Sequence, residues 1–401
     1  ENYAGHLRDL AHDRGLRFTI EAYGSPCDYL PYAGQCDEPM GEFWVGGGAM
    51  HTCKGMASAA HVYGKPIVGA EAFTAADQER WRDHPASIKA LGDQAFCAGI
   101  NRFVFHRYAM QPWLDRRPGM TMGPWGVHYE RTQTWWDLTP EWHRYLARCQ
   151  FLLRQGRFVA DLCYLEAEDS PQGFHDHPRE GYAWDQCSPE VVLTRMAVNE
   201  GRLVLPDGMS YRVLVLPDVR AMTPPLLRKI KELVQAGATV VGPRPLRSPS
   251  LNGYPDCDRE VERLAEEVWG DCDGQGVLEH RVGQGRVVWG PAPEKVLAEA
   301  GVPPDFTSRA RLRFLHRQQE VNHLYFVSNP GPYAVTATAT FRVSGKTPEL
   351  WWPDTGRIEP GQRFSRSDVR QADRWTFQQG YVKNGDNRRY PGQRAQVVRQ
   401  A

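Results

Sequence analysis

The feature that most constrains the fold is a repeated pattern in the first 155 residues, where short apolar runs stop at polar or charged side chains. Three such runs are 16–21, which ends on Glu21, 65–71, which ends on Glu71, and 100–107, which ends on His106-Arg107. Buried parallel strands read as continuous apolar runs. In a barrel of parallel strands, the residues at the strand ends line one mouth, where the chemistry takes place. The pattern therefore predicts a site at such a mouth.

Helix and strand patterns alternate throughout this first block, as they do in α/β proteins. The predicted strands are 16–23, 40–45, 66–71 and 101–107, and the predicted helices are 3–14, 52–63, 84–98 and 140–155. The chain opens in a helix that leads at once into a strand, so we expect a further segment before Glu1. Three or four βα units are half of an eight-unit barrel. Residues 1–156 are therefore predicted to form the C-terminal half of a (β/α)8 catalytic barrel.

The second block, residues 157–303, is predicted to be a flavodoxin-like α/β domain. Its apolar strand patterns lie at 159–165, 211–216 and 238–242. A helix between the last two is predicted to begin after Thr223, as N-cap, and to end before Gly237. Residues 182–185 are interpreted as a docking loop. The block contains no GxGxxG and no Walker A sequence, so we assign it no nucleotide.

The third block, residues 304–361, alternates polar and apolar residues with period two and is predicted to be an antiparallel β-sandwich. Residues 362–401 are rich in Arg and Gln and poor in aliphatic residues. We expect this last segment to be a divergent, disordered tail. A closing strand of the sandwich is also expected there, but no part of the tail has a convincing strand pattern.

Composition excludes several classes of function. The chain has 48 basic and 48 acidic residues, so it has no electrostatic footprint for nucleic acid. No apolar run approaches the ~18 residues of a membrane span. The nine cysteines show neither a disulfide framework nor zinc spacing, and we expect most of them to be buried. The compartment is left open, and a secreted or periplasmic location is compatible with the sequence.

Carboxylates at the predicted mouth are the candidates for acid and base catalysis. Glu71 follows a run that is too apolar for a surface strand, and glutamate is rarely buried unless it is paired. Glu42 lies among aromatic residues, where desolvation would raise its pKa toward the working range of an acid. Glu21 is either a third carboxylate of the site or the ion-pair partner of Arg107.

Several carboxylates at an aromatic-rich mouth are what hydrolysis of a glycosidic bond needs. Basic and aromatic residues are therefore candidate contacts to a sugar. His106 and Arg107 are expected to bind hydroxyl groups or to orient a carboxylate. Trp44, Trp113 and Trp125 are candidate stacking platforms, and the alternative for each is packing in the core. The pair Asp37-Glu38 is a candidate ligand set for calcium, which favours clustered carboxylates, and the alternative is a solvated acidic loop.

Six motifs occur in a fixed order along the first part of the chain. They are Glu21-Ala-Tyr-Gly24, Pro39-Met-Gly-Glu-Phe-Trp44, Lys65-Pro-Ile-Val-Gly-Ala-Glu-Ala-Phe-Thr74, His84-Pro-Ala-Ser-Ile-Lys-Ala-Leu-Gly-Asp93, Gly99-Ile-Asn-Arg-Phe-Val-Phe-His-Arg-Tyr108 and Pro118-Gly-Met-Thr-Met-Gly-Pro-Trp-Gly126. Together the motifs resemble glycoside hydrolase family 106, the α-L-rhamnosidases. The likeness covers roughly residues 1–355 and fades in the tail.

The resemblance implies an inverting hydrolase that removes terminal α-linked L-rhamnose from an oligosaccharide or glycoside, with calcium near the site. It implies that Glu71 is the general base that activates water and that Glu42 is a second active-site carboxylate tied to calcium. Asp37 is the further metal ligand that we predict. The family's general acid is expected on an earlier barrel strand, and no residue of this chain matches it. The chain is therefore interpreted as a fragment without the general acid.

Two alternatives remain at this point. A retaining hydrolase similar to the β-galactosidases would also combine a barrel, a flavodoxin-like domain and a β-domain. Its two catalytic carboxyl groups would lie ~5–5.5 Å apart, whereas an inverting enzyme separates them by ~6.5–9.5 Å. The second alternative is a non-catalytic carbohydrate-binding protein that keeps the aromatic mouth.

Overall fold

The computed structural model describes residues 2–24, 27–76, 81–113, 115–117, 119–121, 123, 125–170, 172–177 and 180–361, with the strand backbones 364–366, 371–377 and 394–399. Within these residues it contains two α/β units followed by two antiparallel sheets. All nine cysteines are free and eight of them are buried, which confirms that expectation. None of the helices in the described residues is both long and apolar enough to cross a membrane.

The first unit is a four-stranded parallel sheet whose strands follow one another in chain order. The strands are β1 (Thr19–Glu21), β2 (Glu38–Trp44), β3 (Gly69–Thr74) and β4 (Arg102–Phe105). The helices are α1 (Ala4–His12), α2 (Tyr29–Gly34), α3 (Met50–Val62), α4 (Pro85–Ala98) and α5 (Thr139–Leu152). Each predicted strand and helix of this block overlaps one of these elements, and α2 was not predicted. Consecutive parallel strands joined by helices are the arrangement found along the wall of a (β/α)8 barrel.

The two faces of this sheet differ sharply, because successive side chains of a strand point to opposite faces. One face carries Phe43, Ala70 and Ala72, which are fully buried in the largest hydrophobic core. The opposite face carries Glu42 of β2 and Glu71 of β3. The apolar runs of the sequence therefore mark the helix-covered face, and the glutamates mark the other one.

The second unit is a six-stranded sheet flanked by helices. Its strands are β6 (Leu162–Leu165), β7 (Trp184–Cys187), β11 (Val213–Val215), β12 (Thr239–Val241), β13 (Glu279–Val282) and β14 (Gly285–Val288). Their spatial order is β13-β14-β12-β11-β6-β7, and every pair except β13–β14 is parallel. The five parallel strands thus follow the order 2-1-3-4-5 that is typical of flavodoxin-like sheets.

Helices α6 (Pro189–Arg195), α7 (Pro224–Gln235), α8 (Asp256–Trp269) and α9 (Pro293–Glu299) complete this unit, together with a small antiparallel sheet of β8 (Ala197–Asn199), β9 (Arg202–Val204) and β10 (Ser210–Tyr211). Helix α7 begins after Thr223, as predicted, and Gly237 follows its last turn with φ +118°. The interpretation of residues 182–185 as a docking loop is wrong, because Trp184 and Asp185 belong to strand β7 at the edge of the sheet.

The last part of the chain forms two antiparallel sheets. One contains β15 (Phe306–Ser308), β18 (Val335–Phe341), β22 (Gln371–Phe377) and β21 (Phe364–Arg366). The other contains β20 (Ile358–Pro360), β19 (Thr347–Trp351), β23 (Arg394–Arg399), β17 (Asn322–Ser328), β16 (Arg313–Gln319) and β5 (Arg157–Phe158). Phe306, Tyr325 and Phe341 pack together in their shared core.

The expectation of a disordered tail is wrong for three segments after residue 361, and the rest of that tail lies outside the described residues. Strands β21 and β22 extend one sheet, and β23 lies between β17 and β19 in the other. Strand β23 is therefore the closing strand that the sequence did not reveal. Its pairing comes from backbone hydrogen bonds to two neighbours, which need no alternating apolar pattern.

Candidate active site

The candidate site lies at the C-terminal ends of β1, β2 and β3, on the polar face of the first sheet. Glu42 and Glu71 are register partners across β2 and β3, so their side chains project from the same face. Glu21 is the last residue of β1, and its register partner on β2 is Met40, two residues before Glu42. The structure therefore brings the three predicted glutamates together.

Glu42 is fixed by hydrogen bonds to both carboxylate oxygens. The Tyr23 hydroxyl donates to Oε2 at 2.9 Å, and the Trp44 indole N–H donates to Oε1. The backbone of Glu42 is also held, because its N–H donates to the Thr52 hydroxyl at 2.8 Å. The carboxylate thus has a defined orientation and two donors that stabilise its negative charge.

Glu71 has a different environment. The Thr74 hydroxyl donates to its Oε1, and His106 Nδ1 lies 3.8 Å from the same oxygen. The side chains of Glu71 and His106 are 24% and 20% exposed, so water and a ligand can reach them. Glu71 therefore combines a fixed position with access to solvent, which a general base requires.

Glu21 has a strongly perturbed acidity, although its side chain remains in contact with solvent. Partial burial and then the negative charge of Glu71 raise the pKa of Glu21 to about 7, with a smaller contribution from Glu42 and an opposing hydrogen bond from Tyr23. Carboxylates this close cannot all ionise easily. The cluster of Glu21, Glu42 and Glu71 therefore holds a proton on Glu21 up to near-neutral pH.

Two of the three predicted tryptophan platforms lie at this site. The rings of Trp44 and Trp125 meet edge to face with centroids 5.5 Å apart, and Trp125 is 47% exposed. Because Trp44 also donates to Glu42, this aromatic pair borders the carboxylates directly. Trp113 is 52% exposed and lies, like Trp125, on the long loop between β4 and α5, with the Arg116 guanidinium 5.8 Å from its ring centre. Within the described residues, no recorded contact joins Trp113 to the glutamates.

Arg107 supports the site indirectly. It is buried, and its guanidinium donates to the backbone oxygens of Trp125, at 2.9 Å, and Gly123, at 3.3 Å. The alternative that Glu21 pairs with Arg107 is wrong, because these bonds direct the guanidinium into the loop. Arg107 therefore positions the segment that carries Trp125, and direct binding of a sugar hydroxyl by Arg107 stays a prediction.

Asp37 does not belong to the site, and the prediction that it shares a metal with Glu42 is wrong. Asp37 precedes the first residue of β2, whereas Glu42 lies near its end, and five residues of extended strand span about 17 Å. The Asp37 carboxylate instead accepts from His12 at 2.9 Å and from the Phe18 N–H at 2.7 Å. Among the described residues, no group of three His, Cys, Asp or Glu side chains is arranged to hold a metal ion.

Sequence reasoning missed two polar residues that fix the carboxylates, Tyr23 and Thr74. Tyr23 follows Glu21 by two residues and reaches across to Glu42, while Thr74 closes β3 and reaches back to Glu71. Both residues lie within the motifs quoted above, so the sequence did contain a signal that they belong to the site. Their partners depend on strand register, which the motifs do not specify.

Comparison with known proteins decides the family. A family model described as α-L-rhamnosidase, glycoside hydrolase family 106, matches residues 1–364. The chain belongs to this family. The region matched by the α-L-rhamnosidase family model includes both α/β units and the whole of the third block.

Two relatives show how much of a longer protein the matched region represents. A putative β-glucuronidase of Formosa agariphila is 37% identical over 363 residues, which are 90% of this chain and 30% of that protein. A rhamnosidase from Novosphingobium sp. PP1Y matches with a TM-score of 0.88 at 30% identity, over 100% of this chain and 38% of that one. The chain therefore spans well under half the length of these two proteins.

More distant structures share the fold alone. An α-L-fucosidase isoenzyme 2 from Paenibacillus thiaminolyticus matches with a TM-score of 0.54 at 11% identity, over 100% of this chain and 70% of that one. A β-galactosidase from Bacillus circulans sp. alkalophilus matches with a TM-score of 0.53 at 12% identity, over 88% of this chain and 62% of that one. The α/β fold of this rhamnosidase-family chain thus has neighbours in other glycosidase families.

Proposed function

We propose that this chain carries part of the catalytic centre of an enzyme that removes terminal α-linked L-rhamnose from an oligosaccharide or glycoside by inversion. The observation that carries the proposal is the register pairing of Glu42 with Glu71 on the open polar face, next to Trp44 and Glu21. Fixed carboxylates beside an aromatic surface can hold a sugar and move protons at its anomeric carbon. In this proposal, the four strands are the C-terminal half of a (β/α)8 barrel.

Glu71 is the general base in this proposal. A water molecule attacks the anomeric carbon, Glu71 takes one of its protons, and the leaving oxygen takes a proton from a general acid on the other face of the sugar. The hydrogen bond from Thr74 to Oε1 fixes the carboxyl plane, so we assign proton acceptance to Oε2. His106, beside the same group, is placed to orient the water or a sugar hydroxyl.

Glu42 has a binding role rather than an acid role. Tyr23 and Trp44 already donate to its oxygens, and each oxygen keeps a lone pair for a sugar hydroxyl. Glu42 and Glu71 are paired on neighbouring strands, which lie about 4.8 Å apart, less than the ~6.5–9.5 Å that separates the two carboxyl groups of an inverting enzyme. We therefore place the general acid outside the four described strands, across the mouth from Glu71.

Calcium has no step in this proposal. The resemblance implied the ion, but the carboxylates suggested as its ligands do not fit a common site, because Asp37 lies at the far end of β2. Every step above is assigned to side chains of the chain and to the general acid.

The test combines hydrolysis with calorimetry. An aryl α-L-rhamnoside is incubated with the protein while proton NMR follows which anomer of L-rhamnose forms first, and L-rhamnose is titrated calorimetrically in parallel. Release of the β-anomer first is the expected result for inversion. Release of the α-anomer first would support the retaining alternative. Binding without turnover would support the alternative of a non-catalytic carbohydrate-binding protein. If the protein neither binds L-rhamnose nor hydrolyses the rhamnoside, the proposal is overturned.

A further inference from the structure

A buried polar cluster joins helix α3 of the first unit to strand β7 of the second. The carboxylate of Asp185 on β7 is completely buried and accepts hydrogen bonds from four side chains. Three donors lie on α3: Lys54 Nζ at 2.8 Å, Ser58 Oγ at 3.0 Å and His61 Nδ1 at 2.9 Å. The fourth is the Tyr211 hydroxyl at 3.0 Å. Successive turns of α3 are therefore hydrogen-bonded to one side chain of the flavodoxin-like sheet.

The first turn of the same helix also holds Glu42. The Glu42 N–H donates to Thr52 Oγ1 at 2.8 Å, and the Cys53 thiol lies 3.4 Å from the Glu42 carbonyl oxygen. The approach is close, because a Cβ added at Gly41 would lie 2.9 Å from the Cα of Cys53. Lys54 is the next residue after Cys53. The two residues that contact the backbone of Glu42, Thr52 and Cys53, therefore directly precede Lys54 in the chain.

We propose that Asp185 is a positioning residue for Glu42 and acts through Lys54 and the first turn of α3. The Lys54 ammonium is nearly buried between the rings of Phe158 and Trp184, whose centres lie 4.9 and 4.6 Å away. A buried cation without a balancing carboxylate is strongly destabilising. Loss of the Asp185 charge drives Lys54 toward solvent, and the turn that fixes Glu42 moves with it.

The role of Glu42 in sugar binding rests on the proposed function, but its position can be measured without turnover. The Trp44 indole N–H donates to Glu42, so its NMR resonance reports where that carboxylate lies. The resonance is assigned in protein labelled with ¹⁵N-tryptophan by its loss in Trp44→Phe. The experiment compares this signal, and its change with pH, in the unaltered full chain and in Asp185→Asn. We expect Asp185→Asn to shift the resonance toward a weaker hydrogen bond.

Asp305 offers a matched control. Its carboxylate is also fully buried and bonded to a histidine and a tyrosine, His316 at 2.8 Å and Tyr325 at 2.8 Å, but these partners lie in the β-sandwich. Asp305→Asn should therefore lower thermal stability in a similar way and leave the Trp44 resonance unchanged. If both variants move the resonance equally, the effect is general loosening and the inference is overturned.

A second variant tests the route through Lys54. In the double variant Lys54→Met/Asp185→Asn the buried cation and its partner are both removed, so the Trp44 signal should return toward its original position. An unshifted signal in folded Asp185→Asn overturns the inference. If Asp185→Asn does not fold, Ser58→Ala decides, because it removes one donor to the same carboxylate and retains both charges. A smaller shift in the same direction supports the inference, and no shift overturns it.

These outcomes are separate from the fate of the proposed function. A chain that hydrolyses no rhamnoside can still show the shift, in which case the positioning inference stands without the proposed reaction. Where turnover is detected, Asp185→Asn should raise KM more than it lowers kcat, because Glu42 is assigned to sugar binding.

Discussion

Glu42 and Glu71 are paired in register across β2 and β3, so two carboxylates leave the same face of the sheet side by side. Four residues before Glu42 on β2, Glu38 projects from that face as well. Glu38 is bound by Arg17, at 2.8 Å, and by Arg102. One face of a small sheet therefore has an ion-paired end and an end where, among the described residues, the carboxylates have no arginine in an ion pair with them.

This contrast gives the first prediction. Glu71→Gln should lower kcat for an aryl α-L-rhamnoside by ~10²–10⁴-fold, since a general base contributes about that factor, and should leave the melting temperature nearly unchanged. Glu38→Gln should leave kcat nearly unchanged and should lower the free energy of unfolding by about 1–3 kcal/mol, because the ion pairs of Glu38 are broken. Kinetics and thermal melting of both variants make the comparison. Near-normal turnover in Glu71→Gln would remove Glu71 from the base role.

The raised pKa of Glu21 predicts a pH dependence of stability. Because the folded protein holds the Glu21 proton up to about pH 7, this residue contributes stability below its unfolded pKa near 4.5 and loses that contribution as the pH rises through 7. The effect should be about 1 kcal/mol after allowance for solvent screening. Denaturant unfolding between pH 5 and 8 should show a smaller decline in Glu21→Gln. Equal declines in both proteins would contradict the assignment.

The raised pKa of Glu166 predicts a second loss of stability, at a more alkaline pH than that of Glu21. Burial, and then the negative charge of Asp28, raise the pKa of Glu166 to about 8, and its Oε1 has no hydrogen-bond partner among the described residues. The stabilising protonated form is therefore lost as the pH rises through about 8. Glu166→Gln should be more stable than the unaltered protein at pH 9 by a few kcal/mol, on the order of 2–4, and similar to it at pH 5. A stability difference that does not change with pH would argue against this account.

The aromatic pair predicts which tryptophan contacts sugar. Trp125→Ala should weaken calorimetric binding of L-rhamnose by about 1 kcal/mol, or roughly fivefold, because the exposed ring beside Trp44 is lost. Trp113→Ala is the control, since Trp113 is similarly exposed on the same loop and has no recorded contact with the site in the described residues. A larger loss of affinity in Trp113→Ala would reverse this assignment.

The position of Asp37 predicts that it acts on stability alone. Asp37→Asn should destabilise the protein by about 0.5–1 kcal/mol through the exposed contact with His12. Any change in sugar affinity on adding calcium or a chelator should be the same in this variant and in the unaltered protein. A calcium response that disappears in Asp37→Asn would return Asp37 to a metal site.

Local signals predicted the elements of the first unit well. The run that ends on Glu21 indicated β1, although Thr19 and Glu21 of that strand are exposed. The apolar run that ends on Glu71 indicated β3 because a buried strand is recognised from its own residues. Thr223 and Gly237 marked the ends of α7 for the same reason, since capping preferences act within one turn. The strand β23 was not recognised, because only three of its six residues are aliphatic and its position depends on two distant partners.

The sequence by itself determined which residues share a face of the first sheet, because side chains alternate along each strand, and it determined the family through six ordered motifs. Only the tertiary structure decided that Tyr23 donates to Glu42 and that Arg107 donates to backbone oxygens near Trp125. It also decided that Asp37 lies before the N-terminal end of β2, away from Glu42. These contacts depend on register between segments far apart in sequence. Register is set by the packing of whole helices and sheets, to which each strand contributes only a part.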